Sequence, residues 1–123
     1  MVVIFGGAYQ GKVDFAKEKF HIDDSDIFYC TEDLAIDYEK KVIADLHKFV
    51  LKCAEEGFEA KAILEDHDLS EHIIIVDDIS QGVVPMDKTL RIWRDMVGRT
   101  MLSLCKEADS VYRVFCGIGQ QIK

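Results

Sequence analysis

Met1-Val-Val-Ile-Phe-Gly6-Gly7-Ala8-Tyr9-Gln10-Gly11-Lys12-Val13 opens the chain with a short apolar run that passes into a glycine-rich loop. Asp14-Phe15-Ala16-Lys17-Glu18-Lys19-Phe20 follows, with Phe15, Lys19 and Phe20 placed to pack a helix on a sheet. Gly6, Gly11 and Lys12 stand at the spacing G-x-x-x-x-G-K-[ST]. In that pattern the glycines let backbone N–H groups converge on phosphate oxygens, the lysine reaches the outer phosphates, and a final hydroxyl coordinates Mg²⁺. Gly6, Gly7, Ala8, Tyr9, Gln10, Gly11, Lys12 and Val13 are thus the candidate nucleotide-binding residues, and Val13 leaves the hydroxyl role unfilled. The plainer alternative is a strand-to-helix turn that needs glycine only for its geometry, with Lys12 in water.

Working outward, Ile27-Phe28-Tyr29-Cys30 is a β-prone run ending in Thr31-Glu32. Residues 37–56 carry Val42, Ile43, Leu46, Phe49, Val50, Cys53 and Ala54 at helical spacing, with Gly57 placed to end a helix; His47 on it reads as exposed or structurally bonded. Residues 57–71 receive no assignment. Residues 72–76 are continuously apolar, as a central parallel strand covered on both faces would be, and end in Asp77-Asp78. Residues 87–106 read as a second long helix, with Leu90, Trp93, Met96, Val97, Met101 and Leu104 on its inner side, and residues 111–116 as a last strand closing at Gly117.

Strands alternating with helices predict an α/β fold of the P-loop NTPase type, a parallel sheet of about four strands with right-handed crossovers. The glycine loop, Thr31-Glu32, Asp77-Asp78 and Gly117 would then share the carboxyl edge, where open α/β sheets bind ligands. Asp77 and Asp78 become the candidate Mg²⁺ ligands, because a carboxylate after a buried strand can reach a phosphate-bound cation. A solvated strand end is the competing reading.

Composition bounds the rest. At 123 residues, with one proline and no low-complexity tract, the chain is expected to form one domain. Lys and Arg number 15 against 23 Asp and Glu, a formal charge of −8 that opposes polyanions and argues against a nucleic-acid partner. The same charge gives a free nucleotide no help, so any such site depends on local donors. Cys30, Cys53, Cys105 and Cys116 lack C-x-x-C spacing and read as reduced thiols of a cytoplasmic protein. Apolar runs such as Ile73–Val76 are too short to span a membrane.

Ile73-Ile-Ile-Val-Asp-Asp-Ile-Ser-Gln-Gly82-Val83-Val84-Pro85, then Arg91-Ile-Trp93-Arg94-Asp95-Met-Val-Gly98-Arg99, then Ala108-Asp109-Ser-Val111-Tyr-Arg-Val-Phe-Cys-Gly117, resembles the C-terminal half of the bifunctional adenosylcobinamide kinase and adenosylcobinamide-phosphate guanylyltransferase family. Gly6-Gly7-Ala8 and Gly11-Lys12 match its other end. The resemblance implies a homo-oligomer in cobalamin biosynthesis that binds ATP or GTP with Mg²⁺ and a corrinoid, phosphorylates the corrinoid side-chain hydroxyl, and passes a guanylyl group through a histidine. A central segment with an Arg-Pro pair has no counterpart here, and none of His21, His47, His67 and His72 has the context of the accepting histidine. Guanylyl transfer is therefore expected to be lost.

Other departures bear on the kinase. Val13 replaces Ser, Tyr9-Gln10 replaces Arg-Ser, Asp78 replaces a glutamate, and Met101-Leu102 replaces Asn-Gln. Water can fill the Mg²⁺ position that Val13 vacates. The expected roles are phosphate binding by Gly6, Gly7, Gly11 and Lys12, transition-state charge compensation by Lys12, and Mg²⁺ organisation by Asp78 or Asp77. The alternative is a non-catalytic member that binds a nucleotide, a corrinoid or a protein partner.

Overall fold

The computed structural model describes residues 1–79 and 87–123. Its centre is one sheet. In chain order the elements are β1 (Val2–Gly6), α1 (Lys12–Phe20), β2 (Ile27–Tyr29), β3 (Val42–Ala44), α2 (Leu46–Glu56), α3 (Ala60–Glu65), β4 (Ile73–Asp77), α4 (Lys88–Glu107), β5 (Ser110–Phe115) and β6 (Ile118–Gln121). The strand order is β2-β3-β4-β1-β5-β6, with β6 alone antiparallel to its neighbour. The α/β class and parallel centre are as expected. The sheet is wider than about four strands, however, because β3 and β6 were not anticipated.

β3 corrects the expected helix over residues 37–56. Val42 and Ile43 lie in the ladder between β2 and β4, and the helix begins only at Leu46. Their β-branched side chains suit a covered strand, and it is accidental that they continue the helical spacing of Leu46, Phe49, Val50 and Cys53. Residues 57–71, left unassigned, contain α3. The other elements fall close to their expected places. Asp87 caps α4 by accepting a bond from the Leu90 N–H at 3.0 Å, which gives an acceptor to one of the N–H donors that a helix start leaves without a partner.

Alternation along the central strands divides the core in two. Val3, Ile74, Val76 and Val111 face α2 and α4, whereas Ile4, Ile75, Tyr112 and Val114 face α1. On the α1 side the Phe15 and Phe20 rings lie 5.4 and 6.0 Å from the Tyr112 ring, and the Lys19 ammonium sits 5.9 Å above it. On the other side Phe49 is fully buried among the residues that join α2 to the sheet. Phe49→Ala is expected to lower stability by about 3–5 kcal/mol, read as a drop in the urea midpoint with an unchanged slope. No described helix is long and apolar enough to cross a membrane.

Candidate phosphate-binding site

Five parallel strands place their carboxyl ends on one edge, and the loop after β1 turns back there into α1. Tyr9 (φ 60°) and Gly11 (φ 86°) adopt left-handed conformations that fold the loop over the helix start. Gly11 at the cap of α1 has no side chain to bond the first N–H groups of the helix, the groups that can bind an anion at a helix start. Gly6 is required by packing, since a Cβ there would lie 2.4 Å from the Val114 carbonyl oxygen.

Lys12 does not extend into water. Only 7% exposed, it donates from Nζ to the Gly7 carbonyl at 2.7 Å and pairs with Asp77 Oδ1 at 2.7 Å. The ammonium therefore spans the loop and the end of β4, with a carboxylate occupying the position that a phosphate could take from it. Val13 packs in part against the α1-side core and also lines the cavity, so an apolar side chain stands where the sequence pattern has a hydroxyl.

The cavity holds about 470 Å³ and is bordered by the loop from Ala8 to Asp14 together with Asp45, His47, Lys48, Ile75 and Asp77. Asp78 is not on this lining; its side borders an apolar recess with Phe5, Val97 and Met101, and its N–H donates to the Gly6 carbonyl at 2.8 Å. Thr31 and Glu32 are exposed and also lie off the lining. Gly117 reaches the loop by donating its N–H to the Gln10 carbonyl at 2.8 Å. Residues 80–86, which carry part of the family resemblance including Pro85, lie outside the described residues. Another recess, near 310 Å³ and lined by Leu64, His67 and Thr100, opens where Met1 and Asp109 meet and has no part in the loop.

Asp45 and His47 are site residues that sequence reasoning missed. Asp45 is left-handed (φ 56°) at the start of α2 and makes no side-chain cap bond. Strain of this kind persists where the surroundings enforce it. Its carboxylate, that of Asp77 and a His47 ring nitrogen lie within 4.8 Å of one another. A usable signal existed: Val42-Ile-Ala-Asp45 repeats the apolar-run-then-acid pattern of Ile73–Asp77, and the helical spacing concealed it.

The His47 ring has a defined proton. The Asp77 backbone N–H points at Nδ1 at 3.2 Å, and Nε2 lies 3.5 Å from Asp77 Oδ2. Nδ1 is thus the acceptor and the neutral ring carries its proton on Nε2. Burial is the main cause that pushes the His47 pKa below its ordinary value, against the opposing pull of Asp77 and Asp45. A metal-ligating or nucleophilic imidazole needs a free lone pair with its proton on the other nitrogen. His47 has neither free lone pair in this arrangement, so a hard cation here would be held by the Asp45 and Asp77 oxygens. The other histidines are elsewhere: His21 ends α1, His67 stacks on Tyr38 at 3.7 Å, and His72 Nε2 donates to the Tyr38 carbonyl at 2.8 Å.

Among known proteins, the family model described as cobinamide kinase / cobinamide phosphate guanyltransferase matches residues 52–122, more than half of the chain. The chain belongs to this family. Two curated relatives are each named bifunctional adenosylcobalamin biosynthesis protein CobU. The protein from Salmonella typhimurium (strain LT2) is 35% identical over 51 residues, and that from Escherichia coli (strain K12) is 33% identical over 51 residues. Each match covers 42% of this chain and 28% of the relative, so the chain aligns with little more than a quarter of their length. The family match takes in β4 and Asp77 but begins after the glycine loop, Asp45 and His47. The loop's geometry is therefore support for phosphate binding that does not depend on the match.

Proposed function

We propose that this chain acts in cobalamin biosynthesis as a nucleotide-dependent kinase that phosphorylates the side-chain hydroxyl of a cobinamide, without guanylyl transfer. The observation that carries this reading is the bond from buried Lys12 to Asp77 beneath an open loop and an uncapped helix start. That arrangement has the donors for a triphosphate and, in Lys12, a cation to offset its charge. When phosphate enters, Lys12 exchanges Asp77 for the outer phosphates, which frees the carboxylate.

Among the described residues of the lining, Asp14, Asp45 and Asp77 stand against two cations, Lys12 and Lys48. A bare triphosphate would meet an unfavourable field, so the nucleotide enters as its Mg²⁺ complex. Asp77 and Asp45 would hold the ion, which when bound neutralises charge on the phosphates; Asp78, from the adjoining recess, would act no closer than through water. In the transfer, the acceptor hydroxyl oxygen bonds to the γ-phosphorus as the bridging P–O bond breaks. The nucleoside diphosphate departs, and the hydroxyl proton passes to a cavity carboxylate or water. The His47 proton on Nε2 supports the absence of a guanylylated histidine here.

A second reading, a non-catalytic member that binds nucleotide or corrinoid, is favoured by the apolar packing of Val13. Incubating the protein with adenosylcobinamide, Mg²⁺ and either ATP or GTP separates the two. The kinase reading expects a phosphorylated corrinoid that is absent with Lys12→Ala. Nucleotide binding without product would replace it by the second reading.

A further inference from the structure

We propose that Gln10 is a positioning residue that staples the phosphate loop to the turn between β5 and β6, so that the C-terminal hairpin holds the loop in its anion-binding form. The proposal rests on the nucleotide-binding reading above.

Gln10 is gripped twice. Its side-chain Oε1 accepts the Cys116 N–H at 2.7 Å, and its carbonyl accepts the Gly117 N–H at 2.8 Å. Cys116 (φ 50°) and Gly117 (φ 76°) are successive left-handed residues between Phe115 and Ile118, the form of a tight two-residue hairpin turn, and both N–H groups go to Gln10. This leaves the loop's own amides unspent. The approach is close, because a Cβ on Gly11 would lie 3.3 Å from Gly117 Cα. The hairpin also rests on α1, where a Cβ on Gly119 would strike the Phe15 ring at 2.1 Å. Loop and helix start are thus braced from the same hairpin at two points, more than a hundred residues away in sequence.

The brace has a use. A loop with glycine at three of six positions between Gly6 and Gly11 has many conformations in which its N–H groups diverge, and a ligand that must order it binds more weakly. Tying Gln10 to the hairpin removes those conformations before phosphate arrives. Gln10 thereby acts through the loop and touches no phosphate with its side-chain oxygen. The edge position of β6, which among the described residues pairs only with β5, fits the same role, since its turn is what meets the loop.

The test compares Gln10→Leu, which removes the acceptor at similar volume, with Gln10→Glu, which keeps an oxygen for the Cys116 N–H. Hydrogen exchange at the Cys116 and Gly117 amides is read without ligand, and the ATP–Mg²⁺ dissociation constant by calorimetry. Gln10→Leu is expected to speed exchange at Cys116 about tenfold and to weaken ATP binding about three- to tenfold, with a far smaller change in global melting. Gln10→Glu is expected to restore slow exchange. Unchanged exchange in Gln10→Leu, or faster exchange with unchanged affinity, would overturn the positioning role while leaving nucleotide binding intact. A wild-type protein that binds no ATP or GTP would overturn the functional reading and this role together.

Discussion

Lys12→Ala should reduce affinity for ATP or GTP with Mg²⁺ by on the order of a hundredfold while leaving a folded protein. Two effects add. The variant loses charge-assisted bonds from the ammonium to the outer phosphates, each contributing about 1.5–3 kcal/mol. It also leaves Asp77, 18% exposed and 2.7 Å from Nζ in the wild type, as an uncompensated negative charge at the mouth of the phosphate site, which repels the incoming triphosphate. The fold survives because Asp77 retains the His47 ring and partial contact with water. Calorimetric titration alongside a circular-dichroism melt checks both halves. Affinity within a few-fold of wild type would show that the loop is a structural turn and would remove the kinase reading.

Gly6→Ala is expected to lower stability and to disturb the loop together. The added methyl would sit 2.4 Å from the Val114 carbonyl oxygen on the neighbouring central strand, closer than a Cβ can approach a backbone atom. Neither partner can rotate away. β1 pairs with β4 as far as Gly6, and Val114 belongs to β5, so relief requires the strands to separate. Overpacking of this kind costs about 1–3 kcal/mol and sometimes more, and at about 4 °C per kcal/mol for a domain of this size the melting temperature should fall by roughly 4–12 °C. The same shift would move the loop, so ATP binding should weaken in parallel. An unchanged melting temperature would mean that the close approach at Gly6 is not a feature of the folded protein.

The elements whose local pattern had one interpretation were legible in the sequence. The Ile73–Val76 run, the Asp87 cap with the long helix behind it, and the glycine loop after β1 each carry a signal that nearby residues reinforce. β3 was hidden because its three residues, Val42–Ala44, continue the spacing of α2, and a strand that short has too few side chains to impose its own period. β6 was hidden for another reason: Ile118-Gly-Gln-Gln121 has little β propensity and is held by its hairpin pairing with β5 and by the long-range contact between Gly119 and Phe15. The site divides likewise. Lys12 and Asp77 sit in readable motifs. Asp45 and His47 enter the cavity only because β3 lies beside β4, a topological fact that spacing along the chain does not encode.

The central place of β1 has a consequence for how the sheet assembles. Its two ladder partners, β4 and β5, are separated from it by some seventy and more than a hundred residues. β1 is therefore enclosed only once two distant segments have joined it, and until then its apolar side chains have no sheet to enter. Contacts of such long range slow folding and lengthen the exposure of sticky segments. On the proposed function, a nucleotide binding across β1, β3 and β4 would recognise only the finished sheet, and its binding energy would oppose unfolding by mass action.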